Sequence, residues 1–246
     1  MPRTTRTSRY RRASHRKPVA RVPAANVTPV AHAAAVAYVK SEAAGDGGSL
    51  ENAAGLVPFF EQLSHPPASG ALHVLQYGDS HTASDDWANA MRMGLQSRFG
   101  IGGPGFAFAG HPYRGYRRFD VSGDNSPGWY TDGLAGRAGD GMYGLGGVSI
   151  TAQSAGQMVS LKADCPELQL FYLQQPGGGQ LEFMVDGAPL QTISTDGPLS
   201  PGYFKYQAQE GPHQYTLRTM SGAPVRLYGW VAENHSGVTY ETLGIN

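Results

Sequence analysis

Cysteine, charge and long apolar runs are all scarce in this sequence, and each scarcity removes a class of protein. The single cysteine, Cys165, excludes an internal disulfide and a cysteine-based zinc cluster. Its expected place is that of a small buried residue at a strand edge. Charged residues make up only 15% of the chain and the formal net charge is zero, so no nucleic-acid partner is expected of the molecule as a whole. No apolar stretch approaches the length of a membrane-crossing helix, and no transmembrane segment is expected. The eight histidines are scattered, with no pair at metal-ligand spacing, so neither a metal nor a cofactor is expected. The glycine-dense residues 141–147 match no phosphate-binding fingerprint, and no internal repeat is evident.

Glycine and proline, in contrast, are plentiful at 34 and 17 residues, alongside 40% hydrophobic residues. That combination fits a loop-rich, β-containing fold better than disorder. The N-terminus stands apart. Arg3, Arg6, Arg9, Arg11, Arg12, Arg16, Lys17 and Arg21 precede the first acidic residue, Glu42. Nucleic-acid or anionic-membrane contact and a targeting segment are two readings; a disordered basic tail or an over-extended start is the preferred one. Residues 31–39 are too short, and too interrupted by His32 and Tyr38, to form the core of a clear signal peptide.

Residues 1–48 lack sustained periodicity and end in Gly45-Asp46-Gly47-Gly48, a linker by composition. Leu56, Phe59, Phe60 and Leu63 then fall at helical spacing, and Pro58 places the start of that helix close to itself. Residues 102–147 are glycine-rich with little periodicity and read as a long functional loop. From Val148 to about Met220 the pattern has period two. Leu181, Phe183 and Val185 alternate with Glu182 and Met184, and Asp186-Gly187 signals a hairpin turn. These strands suggest an antiparallel sandwich. The apolar run of residues 225–231 reads as a second strand of an α/β domain.

The stretch that organises the chain is residues 72–82, Leu-His-Val-Leu-Gln-Tyr-Gly-Asp-Ser-His-Thr. An apolar strand stops at Gly78, Ser80 follows, and Trp87, Met91, Leu95 and Phe99 then recur every four residues on one helix face. Ser84, Asp85 and Asp86 provide a cap and negative charge for the helix start. A serine between strand and helix is how α/β hydrolases present a nucleophile. Gly78 permits the sharp turn and Asp79 orders it, while backbone N–H groups at the helix start face developing negative charge.

Tyr77-Gly78-Asp79-Ser80-His81-Thr82-Ala83 resembles the first conserved block of the SGNH, or GDSL, hydrolases. The His-Thr-Ala variant resembles the branch containing bacterial peptidoglycan O-acetylesterases. Gly100-Ile101-Gly102-Gly103-Pro104-Gly105-Phe106 and the closing Leu243-Gly244-Ile245-Asn246 are similar to that branch as well. The resemblance covers roughly residues 52–246. It implies a flavodoxin-like α/β hydrolase core, incomplete in this chain, interrupted by an antiparallel β-sandwich insertion like a carbohydrate-binding module. The corresponding division is a tail at 1–48, a first α/β segment at 49–112, the β-rich insertion at 113–222 and a return to the α/β domain at 223–246.

A serine hydroxyl needs an adjacent base to act as a nucleophile at neutral pH. The resemblance implies a histidine from a late Asp-x-x-His block, and an oxyanion held by the serine N–H, a glycine N–H and an asparagine side chain. Such donors contribute on the order of 3 kcal/mol each. From that set only Ser80 and its own N–H can be assigned, with Gly78, Asp79, His81 and Thr82 as the supporting turn. No Asp-x-x-His occurs. Glu210-Gly-Pro-His213 comes nearest but reads as a turn between sandwich strands. His81 is read as capping or packing rather than as the base. Tyr113, Tyr116, Trp129 and Tyr130 offer a sugar-stacking surface, with half-buried packing the commoner outcome. The expectation is an esterase removing acyl groups, O-acetyl by resemblance, from a glycan such as peptidoglycan in the periplasm or cell envelope. The chain reads as the N-terminal part of such an enzyme, cut short and inactive alone. The rivals are a general lipase or esterase, and a non-catalytic glycan-binding β-sandwich protein. Oligomeric state is left open.

Overall fold

The computed structural model describes residues 28–43, 52–64, 70–136 and 139–245. The chain divides into two units, residues 1–58 and 59–246. In the first, helix α1 (Pro29–Ala43) and a 3-10 turn at Ala53–Leu56 are accompanied by a small cluster of Val39, Ala53 and Val57. Helix α1 corrects the disordered-tail expectation over residues 29–43. Its sequence is alanine-rich, so helix propensity rather than amphipathic periodicity forms it, and a search for periodicity passes over it. The basic residues 3–21 and the linker at 45–48 lie outside the described residues. Helix α2 (Val57–Ser64) has Pro58 in its first turn, as the spacing of Phe59, Phe60 and Leu63 predicts.

The second unit continues with β1 (Leu72–Gly78), α3 (Ser80–Ala83), α4 (Asp86–Phe99), β2 (Gly105–Ala107), β3 (Ser122–Asn125), β4 (Trp129–Gly133), β5 (Val148–Ala152), β6 (Met158–Asp164) and β7 (Glu167–Gln174). It closes with β8 (Gln180–Val185), β9 (Ala188–Ser194), β10 (Ser200–Gln207), β11 (Pro212–Thr219), β12 (Val225–Glu233) and β13 (Val238–Gly244). Strands β1 and β13 pair in parallel, with Leu72 opposite Val238 and Gly78 opposite Gly244. The chain therefore leaves the parallel pair after β1 and returns to it only at its last strand. Every strand between belongs to one of two antiparallel sheets, β10-β7-β12-β5-β4 with β2 on β12, and β3-β6-β11-β8-β9.

The two antiparallel sheets share one core. Leu168, Leu170, Leu227 and Trp230 from the first sheet pack in the same cluster as Leu161, Leu181, Phe183, Tyr215 and Leu217 from the second. Period-two alternation produces this directly, because alternate residues of each strand point to one face. Asp186 and Gly187 both have positive φ, 52° and 82°, in the turn joining β8 to β9. Aspartate and glycine tolerate that conformation best, and the hairpin forms where the sequence predicts it.

Two readings are corrected here. Residues 102–147 are not one loop, since β2, β3 and β4 lie within them. Strand β3 reads Ser-Gly-Asp-Asn and carries no apolar alternation; its pairing with β6 makes it a strand. Residues 225–231 belong to β12 and are not the second parallel strand. Strand β12 lies inside the six-stranded sheet, antiparallel to β7, β5 and β2. It is apolar on consecutive residues because both its faces are covered. Leu227 and Trp230 enter the shared core, while Val231 packs against a second cluster of Phe106, Phe108, Tyr116, Val148 and Leu243.

Candidate active site

Ser80 opens α3 two residues past the carboxyl end of β1 and is exposed to solvent. Asp79 caps that single turn. Its carboxylate accepts the His81 backbone N–H at 3.0 Å and lies 3.3 Å from His81 Nδ1. These hydrogen bonds, the one to the backbone foremost, hold the Asp79 carboxyl below its ordinary range. The same contacts orient the turn. They also engage the His81 ring with Asp79, and no hydrogen bond among the described residues joins His81 to the Ser80 hydroxyl.

Two glycines bring the turn close to the strand ends. A Cβ on Gly78 would stand 2.1 Å from Thr82 Oγ1, and one on Gly244 would stand 2.2 Å from the Ala83 nitrogen. Gly78 is therefore needed for close approach; it is not among the residues with positive φ. Thr82 is buried and accepts a hydrogen bond from Gln76 Nε2 at 3.0 Å, which ties α3 back onto β1. The Tyr113 hydroxyl donates to the Gly244 carbonyl, and the Arg117 N–H donates to the Ala83 carbonyl at 3.0 Å. Segments far apart in sequence thus meet around Ser80.

The helix expected to start at residues 84–86 is α4, and α3 precedes it as a separate turn. Asp85 adopts a left-handed conformation, φ 63°, between the two and makes no capping hydrogen bond with its side chain. Its buried carboxylate instead grips Arg92 through both terminal nitrogens, at 3.0 and 2.7 Å, and accepts the Phe119 N–H at 2.8 Å. Arg92 Nε donates to the Tyr240 carbonyl at 2.9 Å, joining α4 to β13. Arg118, also buried, binds Asp120 and the carbonyls of Pro104 and Phe106. The α4 dipole consequently points at Asp85, and Ser80 sits on a separate turn.

The apolar stripe is not the most buried face of α4. Ala88 and Arg92 are fully buried, whereas Trp87 and Met91 are about half exposed, at 49% and 48%. Gln96 reaches inward to the carbonyls of Gly103 and Val238 at 3.2 and 3.0 Å. Gln96 thus adds a second donor to the Val238 carbonyl, which also accepts the Gly102 N–H at 3.0 Å.

Strand β13 escaped the sequence reading because Val-Thr-Tyr-Glu-Thr-Leu-Gly contains no apolar run, although all seven residues are buried. Its polar side chains are satisfied internally. Thr239 Oγ1 donates to Glu241 at 2.7 Å, and His73 Nδ1 lies 2.5 Å from Glu241. His73 Nε2 is 3.2 Å from Glu233 at the end of β12. Flanked by the carboxylates of Glu233 and Glu241, His73 is raised to about 10. The β-branched content of β13 was the available signal. His213, the nearest approach to a late catalytic histidine, sits at the start of β11 and is engaged by Asp186 at 2.8 Å and the Gln209 carbonyl at 3.0 Å. Of the suggested stacking residues, Tyr116 and Trp129 are buried, at 6% and 8% exposure. Cys165 is 1% exposed, and burial pushes its thiol up to about 12, so it is an inert core residue.

No family model matches the chain, and no curated protein matches it. Among solved structures, a peptidoglycan O-acetylesterase superposes with a TM-score of 0.58 at 23% identity, over 76% of this chain and 50% of its own. This chain shares its fold with part of a peptidoglycan O-acetylesterase. The resemblance read from residues 77–83 is thereby borne out at the level of fold. The chain spans half the length of that esterase. Smaller portions match a family two carbohydrate esterase from Clostridium thermocellum (TM-score 0.29, 22% identity, 33% of this chain and 26% of that one). A two-domain esterase active on acetylated mannans also matches (0.34, 11%, 47% and 37%). Those two overlaps are too short to define a fold. No described helix is long and apolar enough to cross a membrane.

Proposed function

We propose that this chain carries the nucleophile of a serine esterase that removes acyl groups, O-acetyl foremost, from a glycan of the peptidoglycan class in the periplasm or cell envelope. The observation that carries the reading is the placement of Ser80. It is exposed on a one-turn helix at the carboxyl end of a parallel strand, the end at which open α/β sheets hold their ligands. The Ser80 N–H, first in its turn, is the oxyanion donor; Asp79 and His81 hold the turn, with Gly78 and Thr82 beneath it. Ser80 would attack the acyl carbonyl, its proton passing to a base. The ester C–O bond would break, the glycan hydroxyl leaving and taking that proton, and water would then hydrolyse the acyl-enzyme to the free acid and restore Ser80. In this reading β1, α3, α4 and β13 are parts of a flavodoxin-like hydrolase core, and the two antiparallel sheets form a sandwich inserted into it. The return to the hydrolase core is then at β13, later than the residue 223 boundary read from sequence.

A second reading has its own support. Among the described residues no histidine is hydrogen-bonded to Ser80, and His81 is engaged with Asp79. A chain with that arrangement could hold glycan without cleaving it. One experiment separates the two. Hydrolysis of p-nitrophenyl acetate and release of acetate from O-acetylated peptidoglycan are measured for the protein and for Ser80→Ala. The esterase reading expects a loss on the order of 10⁴-fold with folding unchanged, since removing one member of a cooperating set disables the set. Turnover that survives the substitution removes Ser80 from the reaction. Absence of turnover in the unsubstituted protein, with glycan still bound, selects the binding reading.

A further inference from the structure

The suggested stacking residues near Trp129 are largely buried, yet a different tyrosine is presented to solvent. Tyr203 stands in the middle of β10 and is 55% exposed. It lies directly opposite Phe171 of β7 in the antiparallel register, the two rings 5.2 Å apart and nearly perpendicular. From Phe171 a row of rings crosses the outer face of the six-stranded sheet. Phe106 follows at 6.4 Å, Phe108 at 5.6 Å and Tyr113 at 6.0 Å. Tyr113 ends the row on the Gly244 carbonyl, beside the Ser80 turn. The row thus has one half-buried end at the candidate active site and one open end at Tyr203.

The surroundings of the open end are polar in a specific way. Lys205, two residues along β10 and on the same face, is exposed and takes part in no ion pair among the described residues. Gln169 lies opposite Lys205 in the register. The acid on this face of β7, Glu167, is already held by His235 at 2.7 Å. A flat apolar ring, an amide and an unpaired cation are what a sugar bearing a carboxylate requires. The ring takes the apolar C–H face, the amide both donates to and accepts from hydroxyls, and the ammonium pairs with the carboxylate. The charge selects an acidic over a neutral sugar.

We infer that Tyr203, Phe171, Gln169 and Lys205 form a binding platform for a carboxylate-bearing sugar of a glycan chain. This deepens the glycan-directed reading above and rests on it only for the glycan's identity as the molecule's target; the platform makes its own prediction whether or not Ser80 is catalytic. Trigalacturonate and its methyl ester serve as probes, titrated calorimetrically into the full chain. The acid binds more tightly than the ester. Tyr203→Ala weakens both by about tenfold, the loss of one stacked ring. Lys205→Met removes the preference for the acid, and Ser80→Ala leaves both affinities unchanged, so a failed esterase reading and a failed platform are told apart. Amide shift changes on adding trigalacturonate fall on β10 and β7, a readout that needs no variant to fold. Absence of binding, affinity unchanged in Tyr203→Ala, or shift changes confined to other strands overturns the inference.

Discussion

Arg92 and His73 are the two side chains on which most of the unusual electrostatics of the second unit converge. Arg92 is 1% exposed and shares its guanidinium between Asp85, the Tyr240 carbonyl and Asn89. Replacing it with methionine keeps the volume but leaves the Asp85 carboxylate buried and unpaired. The expected cost is on the order of 3–5 kcal/mol in chemical denaturation, larger than for a typical core truncation of similar size. A loss below about 1 kcal/mol would show that water reaches Asp85. His73 makes a different prediction because its charge is conditional. Its ordinary value is 6.5 and in the folded protein it is raised to about 10 by Glu233 and Glu241. A raised value means that the folded state binds the proton more tightly than the unfolded one. The stabilisation is therefore fully present below pH 6.5 and declines as pH rises toward 10. His73→Gln should flatten the fall in denaturation midpoint across that window; an unchanged slope would assign the fall to other groups.

At the scale of elements, β1 is the exposed strand of its pair. It hydrogen-bonds to β13 on one edge, and the parallel register assigns the N–H groups of Leu72, Val74, Gln76 and Gly78 to that ladder. Those of His73, Leu75 and Tyr77 point to the other edge, where no strand pairs among the described residues. Hydrogen exchange should reproduce the alternation, with Val74 and Gln76 protected and Leu75 and Tyr77 fast. Uniform protection along β1 would mean that another strand covers the edge in solution. Leu75 and Tyr77 are 39% and 60% exposed. They leave apolar surface on one face of β1, the face opposite Gln76, which hydrogen-bonds to Thr82 of α3. The stripe of Trp87, Met91, Leu95 and Phe99 has helical period in the sequence and a helix in the structure. Period identifies the element; it does not say which face the neighbouring strand takes.

For the molecule as a whole, the strands read from local signals are those whose alternation and turns are local, although their side chains pack in a core shared by both sheets. The alternation of Leu181, Phe183 and Val185, and the Asp186-Gly187 turn, depend on period and on backbone conformation at neighbouring residues. Both are legible in a window of a few residues. Ser80 was legible for the same reason, since an apolar strand, a glycine and a serine are adjacent in sequence. Helix α1 was missed because alanine forms a helix without marking a face. Strand β13 was missed because its buried Thr239, Glu241 and Thr242 are satisfied by His73 and Asp85, residues more than 150 positions away. Strand β12 was assigned to the wrong sheet because a continuous apolar run reports two covered faces and not which partners cover them. The sequence by itself determined the alternating strands, the Asp186-Gly187 hairpin and the strand-turn-helix around Ser80. Only the tertiary structure decided the partner of β1, the inward face of α4, the buried Asp85–Arg92 pair and the exposed ring of Tyr203. Each of those depends on hydrogen-bond partners and packing contacts between distant segments, and such contacts leave no periodic trace along the chain.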